Sequence, residues 1–149
     1  MPFGNGQFDA VLAQAVLEHV ADPVQVVTEA WRVLRPGGYI YVEIPFLQCY
    51  HPHPTDFQRY TIEGIEWLLS RFEKMDSGVC VGPSSVLSDM LKYYLALILS
   101  FDNDRLFQLL FRGIGWLTFP LKYLDLLTVR YRNAHFIASG LYYLGRKSR

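Results

Sequence analysis

The residues whose types could do chemistry fall in two short stretches, 14–19 and 43–61. The first reads Gln14-Ala15-Val16-Leu17-Glu18-His19 and follows an apolar run, so it lies where a buried strand gives way to a loop. Open α/β sheets bind ligands at the carboxyl ends of their strands, which makes Gln14 and Ala15 candidate binding positions. Glu18 and His19 pair an acid with an imidazole, a combination suited to proton transfer or to a hydrogen-bonded loop anchor. The second stretch, His51-Pro52-His53-Pro54-Thr55-Asp56-Phe57-Gln58-Arg59-Tyr60, is polar and rich in proline. Its two histidines and Asp56 raise the question of a metal. The prolines make the segment an extended loop, and no further strong ligand stands at suitable spacing, so no metal site is expected. Asp56 and Arg59 are expected to pair with each other. Glu43 stands just before Pro45 and points to the same crevice or needs a buried partner.

The elements that must position these residues are legible from periodicity. Gln7 to Gln14 predicts a short buried strand after the turn Gly4-Asn5-Gly6. Asp22-Pro23 predicts a capped helix start. Val26, Val27, Ala30, Val33 and Leu34 recur at helical spacing, and Pro36-Gly37-Gly38 is the expected stop. Tyr39 to Ile44, β-branched and aromatic, predicts a second strand ended by Pro45. Strand, helix and strand in such short compass predict a βαβ unit with parallel strands. Beyond it, Thr61 caps a helix expected to reach Phe72, and Met75 to Val81 predicts a third strand. Residues 84–128 have a helical pattern, expected to break at Gly113, Gly115 and Pro120. His135 to Leu144 predicts the last strand.

Three segments in register resemble the second half of the class I S-adenosylmethionine-dependent methyltransferases, specifically the type 11 group. They are Phe8-Asp9-Ala10-Val11, Leu17-Glu18-His19-Val20 and Arg32-Val33-Leu34-Arg35-Pro36-Gly37-Gly38. The loop from Tyr50 to Thr61 also resembles one common in that family. The resemblance implies an α/β fold: a partial Rossmann-like methyltransferase sheet with strands equivalent to 4, 5, 6 and 7 of the order 3-2-1-4-5-7-6. An aromatic-rich helical insertion interrupts it. The chain then reads as one partial domain over 1–149, with a β-α-β core and following helix and strand over 1–81. The insertion covers 82–131, and the last strand and a basic tail cover 132–149.

The resemblance implies S-adenosylmethionine as cofactor, with Gln14 and Ala15 facing its methionine part. It implies methyl transfer to a small-molecule acceptor, with His19 as the candidate catalytic residue beside the methyl group. The competing reading of Glu18 and His19 is a pair that shapes the loop. His51, Asp56, Arg59 and Tyr60 are the candidate acceptor-binding residues. The family's Gly-x-Gly-x-Gly turn is missing from this sequence. Weak or absent cofactor binding is therefore expected of the chain alone, and a truncated domain or natural half-domain is the expected status. A bare edge on the first strand predicts self-association or pairing with a complementing chain. Two rival functions follow, a non-catalytic interaction module and a membrane-surface protein.

Composition sets outer bounds. The 149 residues are 51% hydrophobic and 19% charged, which favours a packed core over disorder. Fourteen basic and fourteen acidic residues cancel, so no global field draws nucleic acid. Arg130, Arg132, Arg146, Lys147 and Arg149 leave the end of the chain basic, which reads as a solubilising tail. Cys49 and Cys80 form no metal or disulfide pattern, and a cytoplasmic setting is expected. The aromatic stretch from Tyr93 to Tyr131 is expected to be a protein-facing lid or dimer surface, with a membrane surface second.

Overall fold

A computed structural model describes residues 1–52 and 54–148; His53 of the second stretch and Arg149 of the basic tail lie outside the described residues. Four strands form one sheet in the order β1-β2-β4-β3, with β1 Phe8–Gln14, β2 Leu34–Pro45, β3 Glu73–Val81 and β4 Gly140–Arg146. β1 runs parallel to β2, while β4 is antiparallel to both β2 and β3. This is the 4-5-7-6 portion of the order implied by the resemblance, so the α/β class and the sheet arrangement are as expected.

Helix α1, Pro23–Val33, links the parallel pair. The Asp22 side chain accepts from the Gln25 N–H at 3.0 Å and Pro23 occupies the first turn, where a missing N–H costs nothing. Helix α2 spans Ile62–Leu68 and is capped by Thr61, whose hydroxyl accepts from Gly64 N at 3.1 Å. Both helices lay their apolar sides on one face of the sheet. There Val27, Ala30, Ile65 and Leu69 pack with Ala13, Ile40, Val42, Ile44 and Tyr143. The opposite face, with Leu12 and Tyr39 exposed and Tyr41 stacked on Tyr142, is only partly covered.

Four boundaries differ from expectation. The α1 helix ends before Leu34, whose backbone is already extended, so β2 begins five residues ahead of Tyr39. A bulge absorbs Arg35 to Gly38 because the register slips between Phe8 and Ala10, and Gly37 takes the left-handed conformation at φ 81°. Helix α2 stops at Leu68 rather than Phe72; the chain turns so that Phe72 packs edge-on against Trp31 with ring centroids 4.9 Å apart. The helical stretch breaks at Phe101 and Asp102, not at Gly113 and Gly115. Helix α3 is Pro83–Ser100 and α4 is Asp104–Thr118, with both glycines inside α4. Phe101 and Asp102 are left-handed at φ 48° and 59°, and Asn103 restarts the chain by capping Leu106 N at 3.0 Å. A helical glycine costs about 1 kcal/mol, which packing against α3, including the Tyr93–Phe111 contact at 4.7 Å, offsets. Pro120 does end regular helix, in a short 3-10 segment before α5, Asp125–Thr128. Finally, His135 to Ile137 form a 3-10 turn, and β4 starts only at Gly140.

Among the described residues, no helix is long and apolar enough to cross a membrane. Trp116 and Leu117 nevertheless stand 80% exposed on α4, and Tyr94 and Leu97 on α3 are also exposed.

Candidate active site

The carboxyl end of β1 delivers Gln14 and Ala15 to the rim of the sheet. Ala15 is left-handed at φ 50°, an uncommon conformation for alanine, and its N–H donates to the Glu43 carbonyl at 3.1 Å. This turns the chain sharply off β1 while keeping it tied to β2. The Gln14 amide donates to Glu43 Oε2 at 3.0 Å, and the Tyr41 hydroxyl donates to Glu43 Oε1 at 2.6 Å. Burial and then the carboxylate hydrogen bond push the Tyr41 hydroxyl well above its ordinary value, so it stays a donor. Glu43 is thereby fixed at the crevice.

A cavity of about 230 Å³ opens at this edge, with Gln14, Ala15, Glu18, Glu43, Asp89 and Lys122 among its walls. Asp89 comes from α3 and accepts from Lys92 at 3.0 Å and from Lys122 at 3.1 Å. The helical segment from α3 onward thus closes one side of the cavity and contributes both signs of charge. Cys80 of β3 also lines it; burial, then the nearby Glu43, pushes its thiol up to about 11, which leaves it protonated and unreactive at neutral pH.

Beneath the rim, Leu17–His19 form one 3-10 turn in which Leu17 and Glu18 are fully buried. The proline-rich loop returns across this turn and is bonded to it. Phe57 N donates to the Glu18 carbonyl at 2.8 Å, and the Gln58 amide bridges the Leu17 and Val20 carbonyls at 2.9 and 3.2 Å. His19 Nδ1 meets the Thr55 carbonyl, and His51 Nε2 approaches Glu18 Oε1 at 3.9 Å. The loop therefore brings His51 to the Leu17-Glu18-His19 turn, which sequence spacing alone does not show.

The candidate acceptor-binding residues divide. Asp56 and Arg59 pair as expected, Arg59 Nη2 donating to Asp56 Oδ2 at 2.6 Å, while His51 N donates to the same oxygen at 3.0 Å. The Arg59 guanidinium holds the Asp56 carboxyl well below the usual carboxylate range, against the opposing effect of burial. With its side chain only 2% exposed, Asp56 spends its oxygens inside the loop. Asp56 and Arg59 border a separate shallow concavity with Gln48, Tyr50 and Phe57, not the wall holding Gln14 and Ala15. Tyr60 packs against the main core, and burial raises its hydroxyl. Gln48, Gln58, Asp89 and Lys122 were not among the candidates; only the fold brings them to the site.

Residues 1–42 match the family described as the methyltransferase domain. The chain is related to the class I S-adenosylmethionine-dependent methyltransferases. The ubiquinone biosynthesis O-methyltransferase of Dechloromonas aromatica is 33% identical over 69 residues, 46% of this chain and 27% of that protein. An S-adenosylmethionine-dependent methyltransferase from Thermotoga maritima superposes with a TM-score of 0.56 at 16% identity, over 99% of this chain and 60% of that one. The [4+2]-cyclase SpnF superposes equally well, at 0.56 and 21% identity, over 99% of this chain and 52% of that one. The chain matches only 20% and 27% of the first curated relatives and about half of these solved structures. S-adenosylmethionine is the cofactor of the methyltransferase family.

Proposed function

We propose that this chain forms the β1-to-β3 half of a methyltransferase that passes a methyl group from S-adenosylmethionine to a small-molecule acceptor. The observation that carries the reading is the rim of β1. A left-handed Ala15 and a Glu43 fixed by Gln14 and Tyr41 face a cavity, within or beside the segment that matches the methyltransferase domain. The residues suit the cofactor: a carboxylate held on the rim favours a sulfonium cation, and the backbone of Gln14 and Ala15 offers polar groups for its methionine part. When bound, the cofactor supplies an electrophilic methyl group, and the sulfur keeps the bonding electron pair as the acceptor's lone pair takes the carbon. The chain's own task is alignment in a closed pocket, which is where such displacement gains most of its rate.

His19 is directed at Glu18 and Thr55 rather than into the open cavity, so its part in this reading is to shape the loop. In this reading β1's free edge pairs with strands that carry the Gly-x-Gly-x-Gly turn, since this sequence holds no such run and, among the described residues, β1 pairs with β2 alone. That the same fold serves a protein called a cyclase is the reason to test the activity directly. The test is transfer of a tritiated methyl from S-adenosylmethionine to a panel of phenols, amines and thiols. It uses the protein isolated with whatever polypeptide covers the β1 edge. Labelled product that is lost in Gln14→Ala and Glu43→Ala supports the reading; no labelled product from any acceptor class contradicts it.

A further inference from the structure

Glu18 poses a problem that the methyl-transfer reading leaves unsolved. Its side chain is 0% exposed, and neither carboxylate oxygen has a hydrogen-bond partner among the described residues. A buried carboxylate without a partner costs several kcal/mol, so something must compensate it. The nearest groups are two imidazoles. His19 Nε2 stands 3.7 Å from Glu18 Oε1 and His51 Nε2 stands 3.9 Å from the same oxygen, both too far to hydrogen-bond. The rings meet edge to face with centroids 5.2 Å apart.

The outer nitrogens settle which way the inner ones face. His19 Nδ1 lies against the Thr55 carbonyl, which can only accept, so this nitrogen is the donor there and Nε2 is turned toward Glu18. His51 Nδ1 lies 3.2 Å from the Cys49 carbonyl, and Nε2 of this ring likewise faces Glu18. Arg59 Nη2 also approaches His51 Nδ1, at 3.3 Å, but it is engaged more closely by Asp56 at 2.6 Å. Two imidazole Nε2 atoms and a buried carboxylate oxygen then converge on one point. A cation bound at that point would compensate the buried carboxylate.

We propose that Glu18, His19 and His51 form a binding site for a divalent transition-metal cation. One ligand atom from each residue lies within 4.8 Å of the others. Ligand atoms about 2.1 Å from a shared tetrahedral centre stand about 3.4 Å apart, so closure onto a metal needs the two gaps to Glu18 to shrink by roughly 0.3–0.5 Å and the two ring nitrogens, within 4.8 Å, to draw together. Two imidazoles and one carboxylate suit zinc, manganese, iron or cobalt better than magnesium or calcium. The carbonyls of Thr55 and Cys49 act as the outer partners that orient each ring. Coordination positions left by the three side chains are available to water, and Glu18 also lines the cavity under Gln14 and Ala15. The site is independent of methyl transfer, because it rests on side chains wholly within this chain.

The probe is cobalt(II), titrated into the chelator-stripped chain and followed by its visible absorption, with zinc(II) as competitor. One cobalt per chain, displaced by zinc, is the expected result. Loss of even an outer-shell partner weakens metal binding by about 10–100-fold, so Glu18→Gln and His51→Ala should each weaken it by on the order of 100-fold or more. His135→Ala, a histidine remote from the turn, should leave the affinity unchanged. Far-UV circular dichroism of each variant confirms that the fold persists; His51 is partly exposed and Gln is isosteric with Glu, so both should remain folded. No binding at millimolar cobalt or zinc overturns the proposal. So does binding that survives both ligand substitutions. Histidine NMR titrations showing His19 and His51 doubly protonated at neutral pH also overturn it, because protons would then neutralise Glu18.

Discussion

Asp56→Ala probes the strap that holds the second stretch over the Leu17–His19 turn. Its carboxylate accepts from both Arg59 Nη atoms and from His51 N, and its side chain is 2% exposed against 25% for Arg59. Removing one partner of a fully buried ion pair costs about 3–5 kcal/mol. Here Arg59 keeps a quarter of its side chain in water and can rehydrate, which brings the expected loss down to about 2–3 kcal/mol. For a chain of this size each kcal/mol moves the melting temperature by about 2–4 °C, so Asp56→Ala should melt roughly 4–12 °C lower. The pH dependence has a definite sign. Arg59 lowers the folded carboxyl below its ordinary value of 3.8, so the stabilisation is complete above that value and is lost as pH falls through the folded one. Wild type and variant should therefore differ by a constant amount from about pH 8 to 5 and converge only in acid. Urea denaturation followed by circular dichroism at several pH values measures this. A gap under about 0.5 kcal/mol at neutral pH, or one that widens in acid, would refute the reasoning.

Two further outcomes are expected. Asp125→Ala should cost about 1–2 kcal/mol, because Asp125 Oδ1 accepts from Ser84 N at 2.8 Å and Oδ2 from Ser85 N at 3.1 Å, closing the first turn of α3; thermal melts check this, and an unchanged melt would show the cap to be dispensable. The chain should self-associate or recruit a strand at β1, whose Leu12 is 69% exposed; sedimentation over a range of concentrations checks this, and a single monomeric species throughout would contradict it.

Much of the sheet was readable because its signals are local. Alternating apolar residues, Asp22-Pro23 and Thr61 each act within one turn of chain, and the first strand, α1 and the start of α2 fall where they point. The misplaced boundaries have physical causes. Phe101 and Asp102 adopt left-handed backbone without glycine, while Gly113 and Gly115 stay inside α4, which packs on α3 through Phe111 against Tyr93. Leu34 is already extended, and Pro36 bars the helix from continuing through Arg35. The site was legible only where a motif marked it. Gln14, Ala15, Glu18 and His19 lie on one short segment, but the approach of His51 depends on Phe57 and Gln58 bonding the loop across that turn. No metal was expected from His51, His53 and Asp56, and the structure instead sets His51 beside Glu18 and His19, with Asp56 behind it. Asp89 and Lys122 reach the cavity only because the helical segment from α3 onward folds back over the sheet edge.

The most direct test of the account is where the cofactor touches the chain. Titration of S-adenosylhomocysteine into isotopically labelled protein, followed by amide NMR, should perturb Gln14 to Val16 and Glu43 to Ile44 at the β1–β2 rim. Binding should be weak, at millimolar ligand, while the free edge of β1 remains unpaired. Perturbation confined to other surfaces would contradict a methyltransferase site at this rim; tight binding at the rim would show that the chain needs no further strands.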